Sequence, residues 1–303
     1  MTDDSMNTTE QSPRLCLMTI HAHPDDEASK GSGTVAKYAD EGVRTVLVTC
    51  TGGEAGDILN RAMNRPWVKE NLKSLRAQEL AASAAVIGYD AYYLLGYHDS
   101  GMPKTDWNSR PDNFHNAPLS EAVGRLVKVI RAERPQVIIT YDEDRQFYGH
   151  PDHVRVYEIS GPAFDAAADP EQYPEAGAPW QPLKMYYTGR SVRRMKALAP
   201  YFEGRGQENP FRRWMERRKE RGLPEEEDRT TTLIDVSEYL GRRRAALLAH
   251  TTQIDPHQGS WFRIPDDVTR ELYPWEEYQL ARSLVENHIP EGELEHDLFA
   301  GLR

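Results

Sequence analysis

The 303-residue chain carries 37 Lys and Arg against 48 Asp and Glu, a formal net charge of -11, with 39% hydrophobic and 28% charged residues. This is a globular composition, with length for one large α/β domain or for a main domain plus an appendage. The acidic balance argues against a nucleic-acid partner, which needs a basic face, and against an anionic membrane surface, and no apolar run nears the ~20 residues of a transmembrane helix.

Residues 1–13 are polar and acidic, without the basic and apolar regions of a signal peptide, and are expected to form an unstructured leader. The only cysteines, Cys16 and Cys50, each sit inside an apolar run. They are expected as buried thiols, and the compartment as cytoplasmic.

Residues 15–20 form a short continuous apolar run suited to a strand buried on both faces. Helical spacing follows over 31–41, a β-branched strand over 43–50, and a long helix over 67–87 that closes at Gly88. A third strand is expected over 91–95, a helix over 119–134 stopped by Pro135, and a fourth strand over 136–141. Asp152 opens another helix, and 183–188 reads as a fifth strand. This alternation predicts an α/β fold: a Rossmann-like, doubly wound, mostly parallel sheet over residues 14–190. Residues 191–229 are rich in Arg, Glu and Pro and read as a solvated helix with exposed loops. A strand over 231–236 and a helix over 236–250 complete the pattern, so 191–303 is expected as a C-terminal α/β elaboration packed on the core and shaping its pocket.

Ligands of open α/β sheets bind outside the carboxyl ends of the strands. The unusual polar residues fall at those ends: His21 to Glu27 after the first strand, Thr51 to Gly56 after the second, Gly96 to Gly101 after the third, and Tyr148 to His153 after the fourth. Imidazole and carboxylate suit zinc, and a catalytic site uses three such ligands. His23 and Asp26, three apart on a tight turn, and His153 are therefore the expected ligands. Asp25 stands beside Asp26 as a base for water activated by the metal. His150 is suited to protonate a leaving nitrogen or to stabilise an oxyanion, Tyr148 to share the oxyanion role, and Asp152 to orient an imidazole. Glu27 and His250 have plain alternatives, as a turn acid and a helix cap. The stretch from Gly31 to Ala36 mimics a dinucleotide fingerprint, but ten residues, three of them acidic, separate it from Ile20, which argues against a pyrophosphate.

The paired segments His23-Pro24-Asp25-Asp26-Glu27 and Gly149-His150-Pro151-Asp152-His153 resemble the LmbE-like (PIG-L) zinc deacetylase superfamily. The resemblance covers 15–168 well and the rest more loosely. It implies a Rossmann-like core, one Zn2+ per chain (Fe2+ being an alternative in the cell) on His23, Asp26 and His153, and Asp25 as general base. It also implies Tyr148 and His150 at the transition state, Asp152 as orienting acid, and Glu54, Arg76 and Asp99 on the hydroxyls of a sugar–inositol substrate. Arg76 has a competing reading as a helix ion pair with Glu79. Lys30, the stretch from Leu95 to Pro103 and the stretch from Thr252 to Pro256 look like the branch that hydrolyses the cysteinyl–glucosamine amide of mycothiol S-conjugates. Lys30 would bind the carbonyl side of the cysteinyl group. The expected partner is thus a small pseudodisaccharide thiol conjugate, released as a mercapturic acid and glucosaminyl-inositol. The alternatives are deacetylation of N-acetylglucosaminyl-inositol or another N-acetyl sugar, a phosphoesterase, and a non-catalytic metal- or sugar-binding module.

Overall fold

A computed structural model describes residues 14–143, 149–188, 192–222, 227–257, 261–286, 289–290 and 292–303. The expected leader, 1–13, lies outside the described residues. In chain order the elements are β1 (Cys16–His21), α1 (Asp26–Ser29), α2 (Ser32–Asp40), β2 (Arg44–Thr51), α3 (Pro66–Glu70), α4 (Leu72–Ile87), β3 (Ala91–Tyr97), α5 (Leu119–Glu133), β4 (Val137–Tyr141), α6 (Pro151–Ala166), β5 (Lys184–Thr188), α7 (Val192–Glu203), α8 (Pro210–Glu220), β6 (Thr232–Asp235), α9 (Leu240–Ala249), α10 (Asp266–Leu272) and β7 (Trp275–Ser283).

Among the described residues seven strands form one sheet, in the order β3-β2-β1-β4-β5-β7-β6. The first five are parallel, and β7 and β6 add antiparallel pairs, so the mostly parallel, doubly wound expectation holds. Alternate residues of β1 feed opposite faces. Cys16, Met18 and Ile20 pack with Leu126 and Val127 of α5 and Val156 and Ile159 of α6. Leu17 joins the other face, under Val35 and Tyr38 of α2 and Ala246 and Leu247 of α9. Helices on both faces explain why these strands read as unbroken apolar runs. Cys16 and Cys50 are buried free thiols, as expected.

Several features differ from the sequence reading. The helix expected over 67–87 is broken at Asn71, whose side-chain amide donates to the Trp67 carbonyl at 2.7 Å and competes with the helical ladder; the stop at Gly88, with φ +103, is as expected. The described residues between 191 and 229 hold two helices rather than one, and α7 buries Met195, Leu198 and Phe202. Strand β7 carries only a short apolar alternation, Tyr278 and Leu280, because Glu276 and Glu277 precede it. Both acids are satisfied by tertiary contacts, Glu276 by the Gly33 and Thr34 N–H groups at 3.1 and 2.8 Å, Glu277 by the Thr230 and Tyr273 hydroxyls. Among the described residues, no helix is long and apolar enough to cross a membrane.

Candidate metal and catalytic site

Strand order reverses between β1 and β4, the crevice where a doubly wound sheet binds its ligands. The turn leaving β1 places His23 and Asp26 there, and the start of α6, after β4, brings His150, Asp152 and His153. Asp26 Oδ2 lies 3.5 Å from His23 Nδ1 and 3.4 Å from His153 Nε2. Donors bound tetrahedrally to zinc at ~2.0–2.1 Å sit about 3.3–3.4 Å apart, so this spacing fits a metal. The Lys30 ammonium takes the other oxygen, Oδ1, which leaves Oδ2 facing both rings. The three donor atoms lie within 4.8 Å of one another.

A second group shares His23: its Nε2 lies 3.2 Å from Asp152 Oδ2 and 3.6 Å from Asp99 Oδ1. Asp152 is fully buried and already engaged. Its Oδ2 accepts the Ser100 N–H at 2.9 Å, and its Oδ1 the Ser100 hydroxyl. A carboxylate so occupied suits the orienting of an imidazole better than direct ligation. Asp99, with Oδ1 also accepting the Gly101 N–H at 2.8 Å, sits inside this cluster, 4.0 Å from His150 Nε2. The two groups, buried except for the half-buried His153, can hold a metal ion.

His150 caps α6: its Nδ1 accepts the Asp152 N–H at 3.2 Å. In the neutral ring the proton therefore resides on Nε2, facing the cluster. Burial, then the positive His23 ring, hold its pKa down at about 4. Asp25 adopts φ +111, a left-handed conformation costly for a non-glycine residue. Arg76 holds it there, donating at 3.0 Å to Asp25 Oδ2, at 2.5 Å to the Pro24 carbonyl and at 2.7 Å to the Gly53 carbonyl. Gly53 is required at φ +66, since a Cβ would meet the guanidinium at 2.4 Å. Burial pushes the Asp25 carboxyl above its usual range, against the pull of Arg76.

The remaining candidates divide. Glu79 does not pair with Arg76; it accepts the Thr251 hydroxyl and the Thr252 N–H and hydroxyl. Glu54 lies 2.6 Å from His98 Nδ1, toward the loops after β2 and β3. Tyr148 lies outside the described residues. Sequence reasoning missed Ser100, although it stands beside Asp99 in the third polar loop. It also left Glu27 and His250 unconnected. Both are fully buried, and His250 Nε2 meets Glu27 Oε1 at 2.5 Å, where Ser83 also donates at 2.5 Å. Glu27 Oε2 accepts the Asp25 N–H at 2.9 Å.

Comparison with known proteins agrees with this architecture. The chain is 44% identical to mycothiol S-conjugate amidase of Streptomyces coelicolor, over 96% of this chain and 98% of that protein. It is 39% identical to 1D-myo-inositol 2-acetamido-2-deoxy-alpha-D-glucopyranoside deacetylase of Thermobispora bispora, over 94% and 98%. The fold matches N,N'-diacetylchitobiose deacetylase from Pyrococcus horikoshii with a TM-score of 0.62 at 16% identity, over 92% of this chain and 88% of that one. The model of the PIG-L family, GlcNAc-PI de-N-acetylase, matches residues 18–164, a span that opens in β1 and closes in α6 and so encloses every residue of the cluster. By these matches the chain belongs to the PIG-L (LmbE-like) family, whose members include named amidases and deacetylases.

Proposed function

We propose that this chain is a metal-dependent amidase that hydrolyses the cysteinyl–glucosamine amide of mycothiol S-conjugates, with zinc or Fe2+ on His23, Asp26 and His153. The observation that carries the reading is Asp26 Oδ2 set 3.5 and 3.4 Å from two imidazole nitrogens, with Lys30 on the opposite oxygen. The 44% identity with a named mycothiol S-conjugate amidase supports the substrate.

When bound, the ion supplies Lewis acidity, which acidifies water and polarises the amide carbonyl. Asp25, its carboxyl raised by burial, accepts a proton from the attacking water and returns it to the glucosamine nitrogen as the C–N bond breaks. The products are the N-acetylcysteine S-conjugate acid and glucosaminyl-inositol. His150, neutral with its proton on Nε2, suits donation to the developing oxyanion rather than protonation of the amine. Tyr148 shares that oxygen. Asp152, fixed by Ser100, holds His23 in orientation. Glu54, Arg76 and Asp99 belong to the sugar–inositol side, with Arg76 acting mainly through Asp25.

The test is hydrolysis of a mycothiol S-conjugate beside N-acetylglucosaminyl-inositol, with metal-loaded and metal-stripped protein. Faster, metal-dependent cleavage of the conjugate is expected. The variants His23→Ala, Asp26→Ala and His153→Ala should lose bound metal and about 10³-fold or more of the rate. Preference for the acetyl sugar would make the chain a deacetylase, and full turnover after stripping would remove the mechanism.

A further inference from the structure

On the far side of the metal cluster from the β2 and β3 loops, the carboxyl edge of the sheet carries a second cleft, of about 210 Å³. Its walls include Lys30, Arg194, Arg243, Trp275, Glu276 and Tyr278. Strand β7 runs antiparallel to β5, with Tyr278 opposite Thr188, so residues 275–278 stand at the carboxyl end of β5. The cleft is thus on the same edge as the metal cluster, displaced along the order β1-β4-β5-β7. Lys30 joins the two, donating to Asp26 and lining the cleft.

The charges in this cleft are unequally engaged. Glu276 takes the Gly33 and Thr34 N–H groups, and Glu277, also in the wall, takes the Thr230 and Tyr273 hydroxyls. Arg243 makes no hydrogen bond or ion pair with the described residues. It stands close to a second guanidinium: burial, then the repulsion of Arg243, bring Arg194 down to about 10. Two adjacent guanidinium groups, one of them unpaired, beside an indole ring form a receptor for a carboxylate carried on an apolar or aromatic arm.

We infer that this cleft receives the acyl half of the substrate and selects S-substituents that end in an anionic group, with Arg243 as the specificity-determining residue. The inference rests on the amidase reading above. It uses the topology: Glu54 and Asp99 lie on the β2–β3 side of the cluster and the cleft on the β5–β7 side. A linear amide bound across the metal cluster, with its sugar at the former, directs its thioether arm to the latter. Three cations, Lys30, Arg194 and Arg243, line the cleft against two acids, Glu276 and Glu277, whose oxygens already accept backbone and hydroxyl donors, which leaves the Arg243 guanidinium for an anion.

The experiment compares two mycothiol conjugates of equal shape, S-(4-carboxybenzyl) and S-(4-carbamoylbenzyl), as substrates. Calorimetric titration with the matching N-acetylcysteine thioethers, the acyl halves alone, reads binding without turnover. The carboxylate is expected to be preferred about tenfold in kcat/KM and in Kd, the low end for a hydrogen bond to a charged group in an open cleft. Arg243→Gln should bring both ratios close to one, and each ratio is internal to one preparation, so partial loss of folded protein does not disturb it. A ratio near one in the natural chain, or a preference surviving in Arg243→Gln, overturns the assignment. A carboxylate preference in binding with no cleavage of either conjugate would instead sink the amidase reading and leave the anion cleft in place.

Discussion

Removing the imidazole of His250 tests how the C-terminal third supports the site. His250 and Glu27 are fully buried, and the Nε2–Oε1 separation is 2.5 Å. Glu27 is held below its usual range by His250 and its other donors, while the same contact raises His250 above 6.5. His250→Ala leaves the carboxylate buried with only Ser83 and the Asp25 amide as partners. Breaking a buried pair from one side costs about 3–5 kcal/mol. An unfolding entropy of ~2.1 cal/mol/K per residue converts this to a Tm fall of about 5–8 °C for a chain of this length. The sign with pH follows from His250. Its folded pKa is raised, so its stabilisation is complete below about 6.5 and is lost as pH rises through the folded value. The Tm gap between natural chain and variant is therefore expected to be wider at pH 6 than at pH 9. The assay is thermal unfolding of metal-loaded protein at both pH values, with Glu27→Gln and the double variant alongside. The double variant should recover part of the loss, because no uncompensated charge remains. A His250→Ala shift below 1 °C, or strictly additive single effects, would refute the coupling. Glu27 also anchors the amide of Asp25 at φ +111, so kcat should fall in His250→Ala while bound zinc, read by metal analysis, stays near one per chain.

Ser100→Ala removes the hydroxyl donor to the fully buried Asp152. Zinc affinity is expected to fall about tenfold as the His23 ring loses its fixed partner, and competition with a chromogenic chelator reads this; unchanged affinity would mean that Ser100 does not act through Asp152. Lys30→Ser removes the cation from Asp26 Oδ1 and from the wall of the cleft. The ratio of kcat/KM for a mycothiol S-conjugate over N-acetylglucosaminyl-inositol should then drop about tenfold, measured with both substrates on one preparation, and a constant ratio would show that Lys30 does not discriminate amides.

The parallel core was legible because burial on both faces leaves a mark within six or eight residues. The Val and Ile runs of β1, β2 and β4 need no distant partner to be recognised as strands. The gathering of His23, Asp26, His150 and His153 was legible for a related reason: a doubly wound sheet brings its strand ends to one edge, so polar residues just after each strand are neighbours by topology. What stayed hidden depends on distant partners. Strand β7 reads as a polar segment until Glu276 is seen capping the Gly33 and Thr34 amides. Arg76 and Glu79 sit three apart on one helix and suggest an ion pair, yet the first turns to Asp25 and the second to Thr251 and Thr252. Local spacing proposes pairs, and burial decides among them. The break at Asn71 belongs to the same class, since only its backbone, at φ -111 and ψ 12, shows that the helical pattern is interrupted.

Several of these hidden contacts originate in the last third of the chain. His250 closes the Glu27 network beneath Asp25, Thr251 and Thr252 tie the following turn to α4 through Glu79, and Glu276 docks on the start of α2. The parallel core alone presents the metal donors, but it leaves Glu27 as an uncompensated buried carboxylate and the α2 amides without a partner. Hydrolysis of an amide needs the base held within a fraction of an ångström, and a residue at φ +111 stays there only if its surroundings over-determine it. The C-terminal segment supplies that constraint through His250 and, through Arg243 and Trp275, lines the cleft proposed above for the acyl half. Differences in substrate between relatives that share the donor set are then expected to lie in Lys30 and in residues after 190. An exchange of that segment with one of the 39%-identical deacetylases should move substrate preference while leaving metal affinity in place.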